Sequence, residues 1–338
     1  SKPIWSANVN SIRKTYKSSN ININLVARMK TLVLHQPYPM GNYKLNEYIS
    51  NYFSKKNYET YLLQQLNGAK PDAEYVQQII DLDPDVIYFE MVDLETFKII
   101  EQMSCEKILL QASNGVLPTY EDIFDYYGKW YTKIITNSNV MYKSFLKKDI
   151  PCEFFKYYFS PLSDIDLGFK DKYNHDCVFL GMGFHRMTSD SYKADRDIFF
   201  NGFEDPSIDF KIYGNGWPQF KHYGGLLPPD DIGKLYSSAN CGFALIGETQ
   251  RNYGQINNRY TEMGYCTLPI ITQNYDSIDW YGIEPYLNFA STRDEAYRLI
   301  VDIKRDATPY LEKSNKIQIF MRAMHTEFFE KLDNLMEA

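Results

Sequence analysis

The sequence predicts an α/β protein with two Rossmann-like domains, whose parallel sheets face each other across a cleft. Three observations support this fold class. The chain has 338 residues, more than one hydrophobic core usually supports. Short apolar stretches alternate with stretches of helical spacing, which is typical of parallel strands joined by right-handed crossovers. A polar segment marked by Pro and Gly, residues 160–176, separates two such series and is expected to be a linker.

The first series, residues 29–160, is expected to form the N-terminal domain after a basic arm at 1–28. Apolar residues recur at helical spacing in three stretches, at 43–53, 73–82 and 93–103. Short apolar runs predict six strands, at 31–36, 58–64, 85–91, 107–113, 131–138 and 152–159.

The second series, residues 177–305, is expected to form the C-terminal domain. Its strands are predicted at 177–183, 209–216, 241–247 and 267–272, and the apolar segment 287–291 leads into the last helix of the series. Its helices are predicted at 189–200, 229–238, 255–265 and 292–306. A helical tail, residues 306–338, is expected to cross back toward the first domain.

Composition favours a soluble cytoplasmic protein. Apolar residues make up 44% of the chain and charged residues 23%, which is ordinary for a globular protein. No apolar run approaches the roughly 20 residues that span a bilayer, and no secretory signal opens the chain. The five cysteines are scattered without a CxxC pair, so we expect reduced thiols. The five histidines show no metal-ligand spacing, so no metal is implied.

Basic residues are concentrated near the start of a chain whose net charge is −7. The first 30 residues contain lysines and arginines but no acid, and a second acid-free stretch, 126–148, mixes lysines with aromatic residues. Such a mixture can follow a phosphate backbone, which makes Lys129 and Lys133 candidates for binding an acceptor such as double-stranded DNA. A solvated helix face and a flexible terminus explain the same pattern. The acidic remainder argues against indiscriminate coating of nucleic acid.

Two glycine-rich turns each follow an apolar run. The first contains Gly181 and Gly183, with Arg186 close behind, and the second begins at Gly214. Glycines at a strand end let backbone N–H groups approach a phosphate, and an arginine fork suits phosphate oxygens. Tight turns alone also require glycine. Further along, the backbone at Leu227 could contact a base, because the following proline fixes the turn.

Arg259 and Glu262 lie three residues apart in a predicted helix and therefore share one face. There the guanidinium would meet a diphosphate, and the carboxylate could accept hydrogen bonds from both ribose hydroxyls. The alternative is an exposed ion pair, worth about 0.3 kcal/mol.

Three stretches carry a family resemblance: "IYGNGW", "GGLLPPDDIGKLY" and "ALIGETQRNYGQINNRYTEMGYCTLPIIT". They resemble the nucleotide-sugar domain of GT-B glycosyltransferases, in particular the phage DNA β-glucosyltransferases and more loosely the spore-maturation-type bacterial enzymes. The resemblance implies a GT-B fold and UDP-glucose as donor, with no required metal. It also implies four donor contacts: Arg259 with the diphosphate, Glu262 with the ribose, Leu227 with the uracil through its backbone, and Arg186 with a phosphate.

Sugar transfer needs a base for the acceptor hydroxyl, and the chain departs from the resembled family there. The family places an aspartate after the strand matching 107–113, shortly before a proline. Here Asn114 precedes Pro118, and an amide cannot act as a base. Other acids and a histidine lie nearby or at predicted strand ends: Asp122, Glu121, His35, Glu90 and Asp93.

The expected function is therefore transfer of glucose from UDP-glucose to a hydroxymethylated base in phage DNA, in the host cytoplasm. Two alternatives stay open. The first is a glycosyltransferase of the same fold that acts on a glycan, a protein or a small molecule. The second is an inactive module that binds a sugar nucleotide, which Asn114 makes conceivable.

Overall fold

Two six-stranded sheets, in which every strand pair is parallel, organise the chain. This is a computed structural model. It describes residues 29–36, 43–64, 73–90, 103–112, 132–156, 168–183, 192–200, 205–252, 254–275 and 282–337. The first sheet uses strands between residues 30 and 154, and the second uses strands between 177 and 289. The predicted α/β fold with two parallel sheets is confirmed.

The first sheet has the strand order β2-β1-β3-β4-β5-β6. Its strands are β1 Lys30–Gln36, β2 Tyr58–Gln64, β3 Val86–Glu90, β4 Lys107–Ala112, β5 Lys133–Thr136 and β6 Cys152–Phe154. The accompanying helices are α1 Tyr43–Phe53, α2 Ala73–Leu82 and α3 Asn139–Lys147. The predicted helix at 93–103 lies almost wholly outside the described residues.

Helix α3 lies in the acid-free stretch 126–148, for which a solvated helix face was one of two explanations, and it shortens the strand before it. The side chain of Ser138 accepts a hydrogen bond from the backbone N–H of Met141 and so caps the helix. Met141 and Phe145, four residues apart, turn toward the core. The strand predicted at 131–138 therefore ends at Thr136. The strand predicted at 152–159 ends at Phe154.

The second sheet has the strand order β12-β11-β10-β7-β8-β9. Its strands are β7 Cys177–Leu180, β8 Phe210–Tyr213, β9 Tyr223–Gly225, β10 Gly242–Phe243, β11 Ile270–Thr272 and β12 Asn288–Phe289. A short helical turn, Lys193–Asp195, continues as a π-helix, Arg196–Phe200. The helices are α4 Ile232–Ser238, α5 Glu248–Asn252, α6 Asn258–Tyr265, α7 Arg293–Arg305 and α8 Thr308–Glu337, and 3₁₀ turns occur at Asp171–Tyr173, Pro229–Asp231 and Glu284–Tyr286.

Two elements of the second half differ from the prediction. The edge strand β9 was not predicted, because its Tyr-Gly-Gly sequence lacks the β-branched residues that mark strands. The helix predicted at 255–265 starts only at Asn258, because the Asn257 side chain caps it. Residues 254–257 directly before it are loop, and a separate short helix, α5, lies upstream at Glu248–Asn252.

Alternate residues of each strand belong to two different cores, one on each face of the sheet, because successive side chains point to opposite faces. In β7, Val178 joins one core, whereas Cys177 and Phe179 join the other. In β1, Val33 and Leu34 divide in the same way. Both sheets are therefore covered on two faces, which explains their continuous apolar strands.

Helix α8 links the two halves. Ile317 and Met321, near its middle, pack into the core of the second half. Phe328 and Leu332, further along, belong to a core of the first half. A helix of 30 residues extends about 45 Å, enough to reach both. The predicted crossing of the C-terminal helix is thereby confirmed.

The structure also bears on the thiols, on membrane-spanning helices and on possible metal ligands. All five cysteines are free thiols, and four of them are buried. No helix in the described part of the chain is long and apolar enough to span a membrane. Among the same residues, no group of three or more His, Cys, Asp or Glu side chains is placed to hold a metal ion.

Candidate functional site

Three turns meet at the carboxyl ends of β7, β8 and β9. The backbone N–H of Gly181 donates to the carbonyl oxygen of Tyr213 at 3.0 Å. The N–H of Gly214 donates to the carbonyl oxygen of Gly225 at 3.1 Å. Backbone hydrogen bonds thus join the two predicted glycine turns to each other and to the edge strand β9. Ligands of open parallel sheets bind at this edge.

Close packing explains why these turns contain glycine. A Cβ atom at Gly214, whose φ is +122°, would lie 2.2 Å from the carbonyl oxygen of Gly181. A Cβ at Gly183 would lie 2.5 Å from the carbonyl oxygen of Gly216. The indole N–H of Trp217 donates to the Gly181 oxygen at 2.7 Å and fixes the turn further. The glycines are required by the fold itself, and phosphate contact by these turns stays a prediction.

Arg259 reaches the first glycine turn from the start of helix α6. A Cβ at Gly181 would lie only 2.5 Å from Nη2 of Arg259. The guanidinium also donates to two carbonyl oxygens, through Nε to Leu180 and through Nη1 to Leu245 at 3.1 Å. Its carbon lies 5.0 Å from the centre of the Phe179 ring. Sequence reasoning missed these supporting contacts, because the Leu180 carbonyl lies 79 positions from Arg259 and the Leu245 carbonyl belongs to a different element, 14 positions away.

The guanidinium has capacity left for an anion. Arginine carries five N–H donors, and contacts with the carbonyls of Leu180 and Leu245 occupy two of them in the described part of the protein. The cap of α6 fixes the base of the side chain, because the Asn257 side chain accepts a hydrogen bond from the Arg259 N–H at 3.1 Å. A fixed guanidinium next to exposed turn backbone can stabilise negative charge on a leaving phosphate.

Glu262 lies one helical turn beyond Arg259 and is half-buried. Burial raises the pKa of its carboxyl group from 4.5 to about 7, and the positive charge of Arg259 opposes this change. The two side chains form no direct ion pair, although both belong to the described part of the chain. The alternative of an exposed salt bridge therefore does not describe this pair. A carboxyl group whose pKa is shifted by burial, near a fixed cation, is common at binding sites.

Leu227 follows β9 and packs against the core below the turns, whereas its neighbour Leu226 is 71% exposed. The segment is extended into the 3₁₀ turn that begins at Pro229. This placement brings the backbone of Leu227 to the same sheet edge as Gly181 and Gly214. Arg186 lies outside the described residues, so its predicted phosphate contact stays a prediction.

Two of the candidate bases, His35 and Glu90, lie within the described residues. His35 lies near the carboxyl end of β1 and is in register with Phe89, next to Glu90 at the end of β3. Both backbone positions are therefore at the edge where ligands of parallel sheets bind. Five further predicted residues lie outside the described part: Asp122, Glu121, Asp93, Asn114 and Lys129.

Lys133 is not brought to that edge. It begins β5, so it lies at the amino end of the first sheet. Its ammonium group lies 3.5 Å from a carboxylate oxygen of Glu153 on the neighbouring strand. Lys133 therefore lies at the opposite end of its strand from the carboxyl edge. That it binds the acceptor stays a prediction.

Comparisons with known proteins agree with this architecture. The structure of T4 phage β-glucosyltransferase matches with a TM-score of 0.59 and 14% identity, over 91% of this chain and 99% of that one. Sucrose-phosphate synthase from Thermosynechococcus elongatus matches with a TM-score of 0.62 and 10% identity, over 91% and 99%. The chain has the GT-B fold. Anabaena HepE in complex with UDP-glucose shares this GT-B architecture, with a TM-score of 0.53 and 9% identity over 90% and 100%.

A family model matches the second half of the chain at the level of sequence. Residues 196–329 match the family model described as glycosyl transferase-like. The matched region includes α6 with Arg259 and Glu262, and it extends into the crossing helix α8. Among curated proteins, no sequence matches the chain.

Proposed function

We propose that this GT-B protein is a glycosyltransferase that moves a sugar, preferably glucose, from a UDP-sugar to a hydroxyl acceptor. The observation that carries the proposal is the position of Arg259, whose guanidinium lies against the Gly181 turn at the carboxyl edge of the second sheet. Glu262 stands one turn away on the same helix. Cation, backbone turn and carboxylate together match the phosphate and ribose groups of a nucleotide diphosphate.

Each part of the donor has a proposed partner in the second half. Arg259 would bind the diphosphate with its remaining N–H groups, and Arg186 would add a second cation. Glu262 would accept hydrogen bonds from the ribose, and the Leu227 backbone would contact the uracil. Support comes from two structural neighbours: the β-glucosyltransferase was crystallised with uridine diphosphoglucose, and HepE with UDP-glucose.

The reaction itself exchanges one bond for another. A base in the first half takes the proton of the acceptor hydroxyl, and the acceptor oxygen attacks C1 of the sugar. The bond between C1 and the diphosphate oxygen breaks, and UDP leaves with the electron pair. Arg259 stabilises the charge that develops on the diphosphate. We propose Asp122, Glu121 or His35 as the base.

Calorimetric titration with UDP tests the donor site. Arg259→Ala removes charge-assisted hydrogen bonds worth roughly 1.5–3 kcal/mol, so UDP affinity should fall about 10- to 100-fold. Arg259→Lys keeps the charge without the fork, so it should lose less. The matched control is Arg305→Ala, because the Arg305 side chain is 76% exposed and pairs with the neighbouring Asp302 on the same helix. Wild-type UDP affinity in Arg259→Ala would show that the diphosphate site is elsewhere.

For the acceptor, we propose a hydroxymethylated base in phage DNA. The basic residues of the first 30 positions and the structural likeness to a DNA-modifying enzyme support this choice. The enzyme would have to extrude the base from the duplex to reach its hydroxyl. DNA binding should weaken steeply as salt increases, because phosphate contacts release counterions. Mass spectrometry of DNA incubated with UDP-glucose should show added hexose.

A second acceptor class is favoured by the net charge of −7, which disfavours a polyanion. In that case the same donor site would serve a glycan, protein or small-molecule hydroxyl. Salt-independent or absent DNA binding, with UDP-glucose turnover on another acceptor, would select this function. UDP binding without any turnover would instead indicate an inactive binding module.

A further inference from the structure

The two halves touch where a buried polar segment follows β5. Thr136, Asn137, Ser138 and Asn139 are at most 5% exposed, although all four are polar. The last of them, Asn139, lies against Gly254, in the loop between α5 and α6 of the second half. A Cβ atom at Gly254 would lie 2.9 Å from Oδ1 and 3.1 Å from Cγ of Asn139. The glycine backbone therefore lies directly against an amide of the other half.

The loop that carries Gly254 is held from within. The Gly254 N–H donates to the Arg251 carbonyl oxygen at 3.0 Å, and the Gln255 N–H donates to that of Gln250 at 2.9 Å. Ile256 is buried in the core, and the Asn257 side chain donates to the Leu245 carbonyl oxygen at 2.8 Å. Residues 254 to 257 are each held by hydrogen bonds or by packing. A displacement of Gly254 would therefore also displace Asn257, which caps helix α6.

The opposite side is equally fixed. The Ser138 N–H donates to Oγ1 of Thr136 at 3.1 Å, and the Ser138 hydroxyl caps helix α3. Asn139 is the first residue of that helix, whose Met141 and Phe145 side chains are buried. The helix therefore fixes the backbone of Asn139, and the surrounding protein buries its side chain against Gly254.

We propose that Gly254 and Asn139 are positioning residues, whose contact sets the separation of the two halves that sugar transfer requires. This inference rests on the proposed glycosyltransferase function. The contact joins the carboxyl edge of the first sheet to the loop leading to Arg259, so it places the acceptor side relative to the donor phosphates. The UDP contacts lie in the second half alone, so the contact should govern turnover rather than UDP binding.

Backbone conformation offers a competing reason for glycine, because φ at Gly254 is +59°. Gly282 distinguishes backbone strain from the contact with Asn139. Its φ is +72°, but the closest atoms to a Cβ there belong to the Phe320 ring, at 3.5 Å. Gly282→Ala therefore reproduces the backbone strain without a tight contact between the halves.

The test compares Gly254→Ala, Asn139→Ala and the double variant by kcat, KM for UDP-glucose and UDP affinity. Gly254→Ala should lower kcat at least tenfold and change UDP affinity less than twofold. Removing the Asn139 amide in the double variant should restore kcat at least fivefold over Gly254→Ala. Gly282→Ala should keep kcat within threefold of wild type. A double variant no better than Gly254→Ala would overturn the proposal.

A second variant approaches the contact from the other side. Asn139→Gln lengthens the side chain against Gly254 without altering the glycine backbone, and it should lower kcat about tenfold. Asn139→Gln also tests the contact if Gly254→Ala does not fold. Wild-type kcat in Asn139→Gln would contradict the proposal.

Amide hydrogen exchange tests the contact between Gly254 and Asn139 independently of glycosyltransferase activity. Amides of 137–139 and 254–257 should exchange at least tenfold faster in Gly254→Ala, and slow again in the double variant. That result would support the contact even if the wild-type protein bound no UDP, in which case only the proposed function would fail. Unchanged exchange in Gly254→Ala would refute the contact whatever the activity.

Discussion

Glu262→Gln provides the most direct test of the electrostatics of the site. In the ligand-free protein, burial makes ionisation of Glu262 unfavourable and raises its carboxyl pKa from 4.5 to about 7. One pKa unit corresponds to about 1.4 kcal/mol, so the full change amounts to roughly 3 kcal/mol. Solvent reaches this half-buried side chain, so we expect about 1–3 kcal/mol to be measured.

The sign of the pH dependence follows from proton linkage. Between pH 4.5 and 7, the folded protein holds a proton on Glu262 that the unfolded chain has released. The contribution of the neutral carboxyl group to stability is therefore complete below pH 4.5, and it is lost as pH rises through 7. Glutamine cannot ionise, so Glu262→Gln should become more stable relative to wild type over the same range.

Urea denaturation of both proteins at pH 4.5, 6, 7 and 8 measures this difference. Glu312→Gln, at an exposed position on α8, is the matched control and should show no comparable trend. A constant stability difference between wild type and Glu262→Gln from pH 4.5 to 8 would refute the burial of an ionisable carboxyl group. If UDP ribose binds the carboxylate, UDP affinity of the wild type should also rise from pH 6 to 8, with proton release detectable by calorimetry in two buffers.

Three further variants test the framework around the site. Gly183→Ala should cost about 1–3 kcal/mol in urea denaturation, because the new Cβ would lie 2.5 Å from the Gly216 carbonyl oxygen. Gly225→Ala should cost less, since only its φ of +108° opposes a side chain and open space surrounds it. Asp231→Asn should speed proteolysis within residues 168–173, because the Asp231 carboxylate holds the Lys170 ammonium at 2.9 Å. Proteolysis at the wild-type rate would show that this ion pair does not secure the segment.

Local patterns predicted the sheets well. The alternation in β7, where Val178 and Phe179 feed opposite cores, is visible in the sequence because strand geometry imposes a period of two. Helix α1 was predicted with its observed bounds, because its apolar spacing is strong. Helix α3 was one of two explanations left open for the stretch 126–148, and the cap signal of Ser138 favours the helix.

The candidate site was predicted in part. The three-residue spacing of Arg259 and Glu262 places both on one face of any helix, so this pair could be selected from the sequence. Their actual surroundings could not. Whether the two side chains would pair depended on the Leu180 and Leu245 carbonyls, which take up the guanidinium instead. The raised pKa of Glu262 likewise depends on burial by distant parts of the chain.

Local sequence patterns account for the alternation of strands and helices, the glycine turns and the spacing on α6, because backbone geometry and side-chain periodicity act over a few residues. The strand orders, the packing of Gly181 against Arg259 and the contact of Gly254 with Asn139 are set by tertiary structure. The last two contacts join residues roughly 80 and 115 positions apart. They arise when crossover connections bring the carboxyl ends of nonadjacent strands to one edge, which no local pattern records.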